Sequence, residues 1–185
     1  MRRCVWMAMM LGALFLGCAD DEATPEDPDG EAGGPSGKQA TATLAAKSGN
    51  TSLAGTATFA QSGSTVTATI EVTGAPPGEH GVHIHMTGDC SSADAMSAGG
   101  HWDPTMHMHG APGPNTHLGD LGNMTVASDG KGTLKLSNAD WQIGTGSSTD
   151  VVGKAVVVHA MPDDLTSQPA GNSGARIGCG VIMAK

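Results

Sequence analysis

Most of the chain after residue 38 alternates small or apolar residues with polar ones, the period of a β-strand whose two faces differ. Short stretches such as SGNTS and QSGST separate these segments and predict turns. Seven stretches carry the pattern: QATATLAAK, TSLAGTATFAQ, STVTATIEVTG, HGVHIHM, GNMTVASDGKGTLKLS, VVGKAVVVHA and IGCGVIMA. The fifth contains an Asp129-Gly130 turn and predicts a hairpin of two strands. Eight short strands predict an all-β, antiparallel sandwich or barrel.

Two long segments without helical periodicity interrupt the predicted strands, residues 87–120 and 161–176. Connections of this length inside a compact domain are usually functional or disordered. The formal net charge is −9, and from residue 38 onward seven Lys and Arg residues oppose eleven Asp and Glu. Because binding to phosphates needs clustered positive charge, this composition argues against a nucleic-acid partner.

The N-terminal residues predict an export signal. Arg2 and Arg3 precede an apolar run, Cys4 to Leu16, that is too short to span a bilayer. The run ends in LFLGC, which resembles a bacterial lipoprotein box with Cys18 as the lipidated first residue of the mature chain. An ordinary signal peptide that is cut elsewhere is the alternative.

An acidic stretch rich in Pro and Gly follows the signal and predicts a disordered tether. The predicted organisation is a signal peptide at residues 1–17, the lipidated Cys18 and its tether at residues 18–38, and one domain at residues 39–185. The mature protein is therefore expected in the periplasm or at the cell surface, anchored to a bacterial membrane through its N-terminal lipid alone. In that oxidising environment cysteines can form disulfides.

The stretch HGVHIHM places two histidines on one face of a predicted strand. His83 and His85 project from that face, whereas Val82, Ile84 and Met86 project from the other and are expected to face the core. Two such imidazoles stand about 6–7 Å apart at their roots, which lets both reach one metal ion. Taken alone this pattern is weak, because chance can also place two histidines in this way.

The first long loop adds further candidate metal ligands. His101, His109 and His117 are spaced by eight and eight residues, and Asp120 follows three residues later. Three imidazoles and a carboxylate form a tetrahedral zinc set. A solvated, histidine-rich loop is the alternative, but it gives no reason for an acid inside the HLGDLG turn. His159 ends an apolar strand, where a buried imidazole needs a partner.

Six stretches together carry a specific resemblance: HGVHIHMTGDC, GGHWDP, HGAPGPNTHLGDLGN, GKAVVVHA, DDL and GNSGARIGCGVI, in this order. They resemble the copper–zinc superoxide dismutases of the exported bacterial type, over residues 39–185. The resemblance implies an eight-stranded antiparallel Greek-key barrel or sandwich with two long functional loops. It also implies an enzyme, a superoxide dismutase that converts superoxide to O2 and hydrogen peroxide with one copper and one zinc per chain.

The resemblance further implies a role for individual residues. The copper ligands would be His83, His85, His101 and His159. The zinc ligands would be His101, His109, His117 and Asp120. His101 would thus serve both metals as a bridging imidazolate. Arg176 would guide the anion to the copper, Asp163 would link one copper ligand to one zinc ligand through hydrogen bonds, and Cys90 and Cys179 would form an intradomain disulfide.

The sequence leaves some alternatives open. A non-catalytic copper- and zinc-binding surface lipoprotein is the alternative to the enzyme, and Arg176 is alternatively a surface ion-pair partner. The oligomeric state, homodimer or monomer, and the choice between inner and outer membrane cannot be read from these residues.

The remaining histidines and several methionines receive expectations of their own. His80 matches a family histidine that ties down the backbone near the copper strand, and His107 is expected at the surface. Met96, Met106 and Met108 are expected to be flexible packing residues rather than copper ligands.

Overall fold

The computed structural model describes residues 37–50 and 52–185; the predicted signal peptide, Cys18 and all but the end of the acidic tether lie outside the described residues. The strands are β1 (Gln39–Ala46), β2 (Ala54–Ser62), β3 (Thr65–Thr73), β4 (Gly78–His85), β5 (Asp120–Val126), β6 (Gly132–Asn138), β7 (Ala155–His159), β8 (Arg176–Val181) and β9 (Met183–Ala184). A single 3-10 turn, Met96–Ala98, is the one helical segment among the described residues. In this part of the chain no helix has the length and apolar character needed to cross a bilayer.

The strands close into an antiparallel barrel. Around the barrel the order is β1, β2, β3, β6, β5, β4, β7 and β8, and β8 pairs with β1 to complete the circle. The two-residue β9 continues along β1 after a break at Ile182. The connections from β3 to β4 and from β6 to β7 each pass over two strands, which is the Greek-key arrangement. The predicted eight-stranded Greek-key barrel is confirmed.

The barrel interior holds the main hydrophobic core. In β3, burial alternates with the strand period, with Val66, Ala68, Ile70 and Val72 pointing inward. Trp141 is buried in this core, and its ring packs edge-to-face against Phe59 with 6.0 Å between the ring centroids. Its indole N–H donates to the Leu118 carbonyl at 2.9 Å.

Strand β7 and all but the start of β4 are buried on both faces. Their inward residues, such as Val82 and Val158, join the main core. Their outward face is covered by the first long loop, whose Ala95 and Ala98 pack with Val157 in a second, smaller cluster. A pocket between a strand face and a covering loop excludes water, so this outward face can hold polar side chains that bind a ligand.

One exception to the predicted face of β4 is Met86. The alternation predicted that Met86 faces the core, but its side chain is 52% exposed and the prediction is wrong. The strand ends at His85, and the chain then turns so that the Met86 N–H donates to the carbonyl of Gly100. The period of a strand therefore stops predicting orientation where the strand stops.

A third long connection, residues 139–154, was not predicted. It carries the buried Trp141 and Asp150 and joins β6 to β7 across the barrel. The Asp150 carboxylate accepts hydrogen bonds from the N–H groups of Gly144, Thr145, Gly146 and Val152, which holds the loop in a compact turn. Burial acts to raise the Asp150 pKa, but these hydrogen bonds together lower it.

The predicted disulfide between Cys90 and Cys179 is present and ties the first long loop to β8. It closes a loop of 89 residues. In the chain-entropy model, such a closure stabilises the native state by about 4–5 kcal/mol.

We expect the Cys90→Ala, Cys179→Ala double variant to lose about 4–5 kcal/mol of unfolding free energy, because its unfolded chain regains the entropy that the crosslink removes. Urea unfolding of both proteins in the same metal state measures the difference. Reduced wild-type protein is the control and should unfold like the variant. A loss below about 1 kcal/mol would contradict this account of the crosslink.

Candidate metal centre

His83 and His85 stand on the outward face of β4, with ring centroids 6.4 Å apart and both side chains fully covered. His159, the last residue of β7, lies beside them, with centroids 4.8 Å from His83 and 5.6 Å from His85. His101 comes from the first long loop, which forms an isolated antiparallel bridge between His101 and His85. The His101 ring stacks on His83 at 3.8 Å. The four rings predicted to hold copper are thus brought together.

For His85 and His159, a hydrogen bond on the outer side of the ring determines which nitrogen points inward. His85 Nδ1–H donates to the Gly99 carbonyl at 2.9 Å, and His159 Nδ1–H donates to the Gly174 carbonyl at 3.3 Å. Their Nε2 atoms consequently face each other, 3.4 Å apart. A backbone carbonyl can only accept, so it fixes the tautomer and leaves the other nitrogen as a lone-pair donor.

The other two rings each present a buried nitrogen without a hydrogen-bond partner, Nδ1 of His83 and Nε2 of His101. One nitrogen from each of the four rings lies within 4.8 Å of the others. Orphaned buried acceptors are costly unless they bind something. These four nitrogens therefore have the chemistry of a metal-ligand set.

A second set surrounds the Asp120 carboxylate at the start of β5. Three imidazole Nδ1 atoms approach its Oδ1: His101 at 2.9 Å, His109 at 3.0 Å and His117 at 3.4 Å. Asp120 Oδ2 accepts the backbone N–H groups of Gly110 and His117, which holds the carboxylate in place. The four residues predicted to hold zinc are thus also brought together.

By the distances between ligand atoms alone, His83 rather than His117 would belong to the second set. The hydrogen bonds favour His117. Its Nδ1 is buried, has no hydrogen-bond partner and faces Asp120, whereas His83 Nδ1 is an orphaned member of the first set. His101 belongs to both sets, through Nε2 in the first and Nδ1 in the second.

Asp163, in the second long loop, links the two sets. Its Oδ2 accepts His83 Nε2–H at 2.8 Å and its Oδ1 accepts His109 Nε2–H at 2.9 Å. Burial acts to raise the Asp163 pKa, but hydrogen bonds from His83, the Leu165 N–H and His109 lower it to about 2. Gly171 has φ 62° and passes so close that a Cβ there would clash with the Asp163 carboxylate. The carboxylate is therefore ionised and tightly enclosed.

Burial keeps three of the candidate copper ligands neutral. It lowers the pKa of His85 to about 2, of His159 to about 3 and of His101 to about 4, and neighbouring imidazoles add to the effect. Neutral imidazoles need to release no proton before they bind a metal. Each of these three rings can thus bind one metal near neutral pH, and His101 must lose its remaining proton to bind a second.

Arg176 begins β8 and stands on the wall of a cleft of about 700 Å³ that is also lined by His85, His101 and His159. Its guanidinium donates to the carbonyls of Ala95 and Gly99, each at 2.8 Å. It forms no ion pair with any described residue, which disfavours the alternative of a surface ion-pair partner. Two of its donors hold the loop, and the others are free for an anion in the cleft.

Several supporting residues were not predicted from the sequence. Asn123 exchanges two hydrogen bonds with the backbone of Asp163, and Gln168 does the same with the backbone of His109. These pairs are 40 and 59 residues apart in the chain, so no local pattern indicates them. His80 holds the position expected for it, with ring nitrogens 2.7 Å from the His159 carbonyl and 2.8 Å from that of Pro76.

Comparison with known proteins identifies the family. The sequence matches the family described as copper/zinc superoxide dismutase (SODC) over residues 53–182. The chain belongs to the copper/zinc superoxide dismutase family. Copper and zinc binding are properties that the family implies, and the two ligand sets with their orphaned nitrogens fit both metals.

Two solved structures show how this copper/zinc superoxide dismutase family member compares with others. The clock protein EA4 is 34% identical, with a TM-score of 0.68 and a match that covers 80% of this chain and 94% of that one. A SOD-like protein from Bacillus subtilis, in a double mutant with tyrosine and proline replaced by histidine, is 33% identical, with a TM-score of 0.69 and coverage of 77% and 96%.

Proposed function

We propose that this protein is a superoxide dismutase with one copper and one zinc per chain. The single observation that supports this most strongly is the His101 ring, whose two nitrogens face two different ligand sets beside a cleft that contains Arg176. A ring held in this way can connect two metals, and the cleft gives a small anion access to one of them.

The donor types support this choice of metals. Four imidazoles without a carboxylate, from His83, His85, His101 and His159, suit Cu(II). Three imidazoles and one carboxylate, from His101, His109, His117 and Asp120, suit a tetrahedral, redox-silent Zn(II). Bound copper would supply the one-electron chemistry, by which one superoxide is oxidised to O2 and a second is reduced to hydrogen peroxide.

The chain's own residues would bind the anion and handle the proton. The free donors of Arg176 bind superoxide in the cleft by charge-assisted hydrogen bonds. His101 can hold a proton at Nε2, the atom that faces the four-histidine set, while Nδ1 stays within the Asp120 set. Asp163, His85 and His159 keep their hydrogen bonds throughout and maintain the ring orientations.

Metal analysis and an activity assay of the purified, metal-loaded protein test this proposal. The expected result is about one copper and one zinc per chain, with dismutation far above that of free copper at the same chelator-limited level. Copper EPR spectra before and after zinc removal test the shared His101 ring. Two metals that do not share this ring, or only one bound metal, would overturn the proposal.

The Arg176→Ala variant is expected to slow turnover and to flatten its dependence on salt, because Arg176 supplies the local positive charge of a domain with net negative charge. Metal content should not change, since Arg176 is in neither ligand set. Rates measured from low to high ionic strength provide the test. Lys131→Ala, in the exposed β5–β6 hairpin, is the control. Equal kinetics in both variants would indicate that Arg176 has only a structural role.

The second candidate is a copper- and zinc-binding protein without activity, and the observation that favours it is the nature of the two similar structures. One is described as a clock protein and the other as SOD-like. A protein of this kind would bind both metals with normal affinity and give no dismutation above free copper. The Arg176 cleft favours the enzyme.

We further propose that the protein is exported and is attached to a bacterial membrane through a lipid on Cys18. The sequence of residues 1–38 supports this, together with the Cys90–Cys179 disulfide, which suits an oxidising compartment. Mass spectrometry of the N-terminal peptide from the native membrane fraction tests it. An unmodified peptide that begins elsewhere than Cys18 would support an ordinary signal peptide instead.

A further inference from the structure

The exposed large hydrophobic side chains of the described residues are all methionines. They are Met86, Met96, Met106, Met108, Met161 and Met183, with exposed fractions from 52% to 90%. The expectation that Met96, Met106 and Met108 are packing residues is therefore wrong. Met124 alone among the described methionines is fully buried, and no described leucine, isoleucine, valine or phenylalanine shares this exposure. The sulfur atom distinguishes these exposed methionines from the other large hydrophobic residues.

Two of these methionines line the cleft that leads to the candidate copper ligands, Met86 and Met96. Met86 directly follows His85, and its N–H donates to the Gly100 carbonyl at 2.9 Å, beside His101. With about half of each side chain exposed, both stand at the rim of the cleft.

Arg176 fixes the backbone that carries Met96. Met96 begins the 3-10 turn, and the Arg176 guanidinium donates to the carbonyls on either side of that turn, at Ala95 and Gly99. The backbone at the rim is therefore well held, while the unbranched methionine side chain keeps its rotational freedom. Such a side chain can keep its sulfur atom in contact with an ion while the ion moves a short distance.

The charges of the cleft also permit a cation. Arg176 opposes one, but the carboxylates of Asp94 and Asp103 line the same cleft. Asp94 Oδ1 accepts the Met96 N–H at 3.0 Å, so one of these carboxylates lies next to the Met96 backbone. A site with two thioethers and nearby acids favours a soft, singly charged metal ion over a hard one.

We propose that Met86 and Met96 form a capture site for Cu(I), from which the ion passes to the histidine set at the base of the cleft. The inference rests on the proposed function, in that it takes the histidine set to be the destination of copper. Thioethers select Cu(I) over Cu(II), and the convergent ring nitrogens of the histidine set then accept the ion. The exposed rim thus favours the loading of Cu(I).

The test measures copper loading of zinc-loaded, copper-free protein. Cu(I) is supplied anaerobically as its acetonitrile complex, and bathocuproine disulfonate added at intervals traps the ions that have not yet reached a buried site. The Met86→Leu, Met96→Leu double variant keeps side-chain size and loses both sulfur atoms. It is expected to load Cu(I) about tenfold more slowly than wild type at low copper concentration, and to load Cu(II) within about twofold of wild type.

The matched control is the Met106→Leu, Met183→Leu double variant. Both of its residues are exposed methionines outside the cleft, and it should load Cu(I) at the wild-type rate. Equal Cu(I) loading by wild type and the Met86/Met96 variant would overturn the proposal. Equal slowing for Cu(I) and Cu(II) would overturn it as well, because the substitutions would then act through the shape of the cleft.

A second measurement does not depend on copper uptake. In protein with 13C-labelled methionine methyl groups, loaded with zinc and reduced copper, Ag(I) serves as a redox-silent probe for Cu(I). The Met86 and Met96 methyl resonances should shift before those of Met106 and Met183. Simultaneous shifts of all exposed methionines, or none, would overturn the capture site without affecting dismutation. Wild-type protein that retains no copper would overturn the proposed function together with the capture site.

Discussion

Alanine in place of His159 is expected to remove copper and to abolish dismutation, while one zinc stays bound and the barrel stays folded. His159 contributes one of the four convergent nitrogens, and its Nε2 lies 3.4 Å from that of His85. It makes no hydrogen bond to Asp120 or Asp163, so the second set keeps all its contacts. Replacing only an outer partner of a ligand typically costs about 10–100-fold in affinity or activity, and loss of a ligand should exceed that range.

Copper and zinc are measured by mass spectrometry of the purified variant, activity by superoxide decay, and folding by circular dichroism. His107→Ala is the matched control, because His107 lies in neither ligand set and contacts Thr105 and the Thr116 carbonyl. This control should keep both metals. Dismutation that survives in His159→Ala would show that the copper position is wrong, and loss of both metals would show that the two sets do not bind independently.

The strands and the ligand histidines were predictable because each leaves a local signal. Two-residue alternation gives β3 and its inward residues directly. Six of the eight histidines in the chain fall in the two predicted ligand sets, so clustered imidazoles such as His83 and His85 are informative even without a structure. Residue roles such as that of Asp163 and the cysteine pairing came from the family resemblance, because no spacing rule specifies them.

The supporting contacts could not be predicted, since they depend on how distant loops pack. Gln168 meets His109 across 59 residues, and Asn123 meets Asp163 across 40. The compact loop around Asp150 depends on four backbone N–H groups that only its folded conformation brings together. Met86 follows a strand pattern that ends one residue earlier. Sequence periodicity describes elements well, and it does not describe the ends of elements or the contacts between them.

Asparagine in place of Asp163 is expected to weaken copper binding by about 10–100-fold and zinc binding less, because the two carboxylate oxygens have different partners. Oδ1 accepts the Leu165 N–H at 2.7 Å and His109 Nε2–H, whereas Oδ2 accepts His83 Nε2–H alone. An asparagine satisfies more donors by directing its single oxygen toward Leu165 and His109. Its NH2 group then faces His83 Nε2, which must become an acceptor.

The proton of His83 would consequently move to Nδ1, the atom that faces the copper set. Chelator competition for each metal measures the two affinities, and 15N NMR of the metal-free variant reports the His83 tautomer. Asp164→Asn is the matched control, because this exposed neighbour accepts N–H groups of Thr166 and Ser167 and contacts no imidazole. Equal weakening of copper and zinc would show that Asp163 acts by general loop support. A tautomer that stays at Nε2–H with copper affinity unchanged would show that the carboxylate does not orient His83.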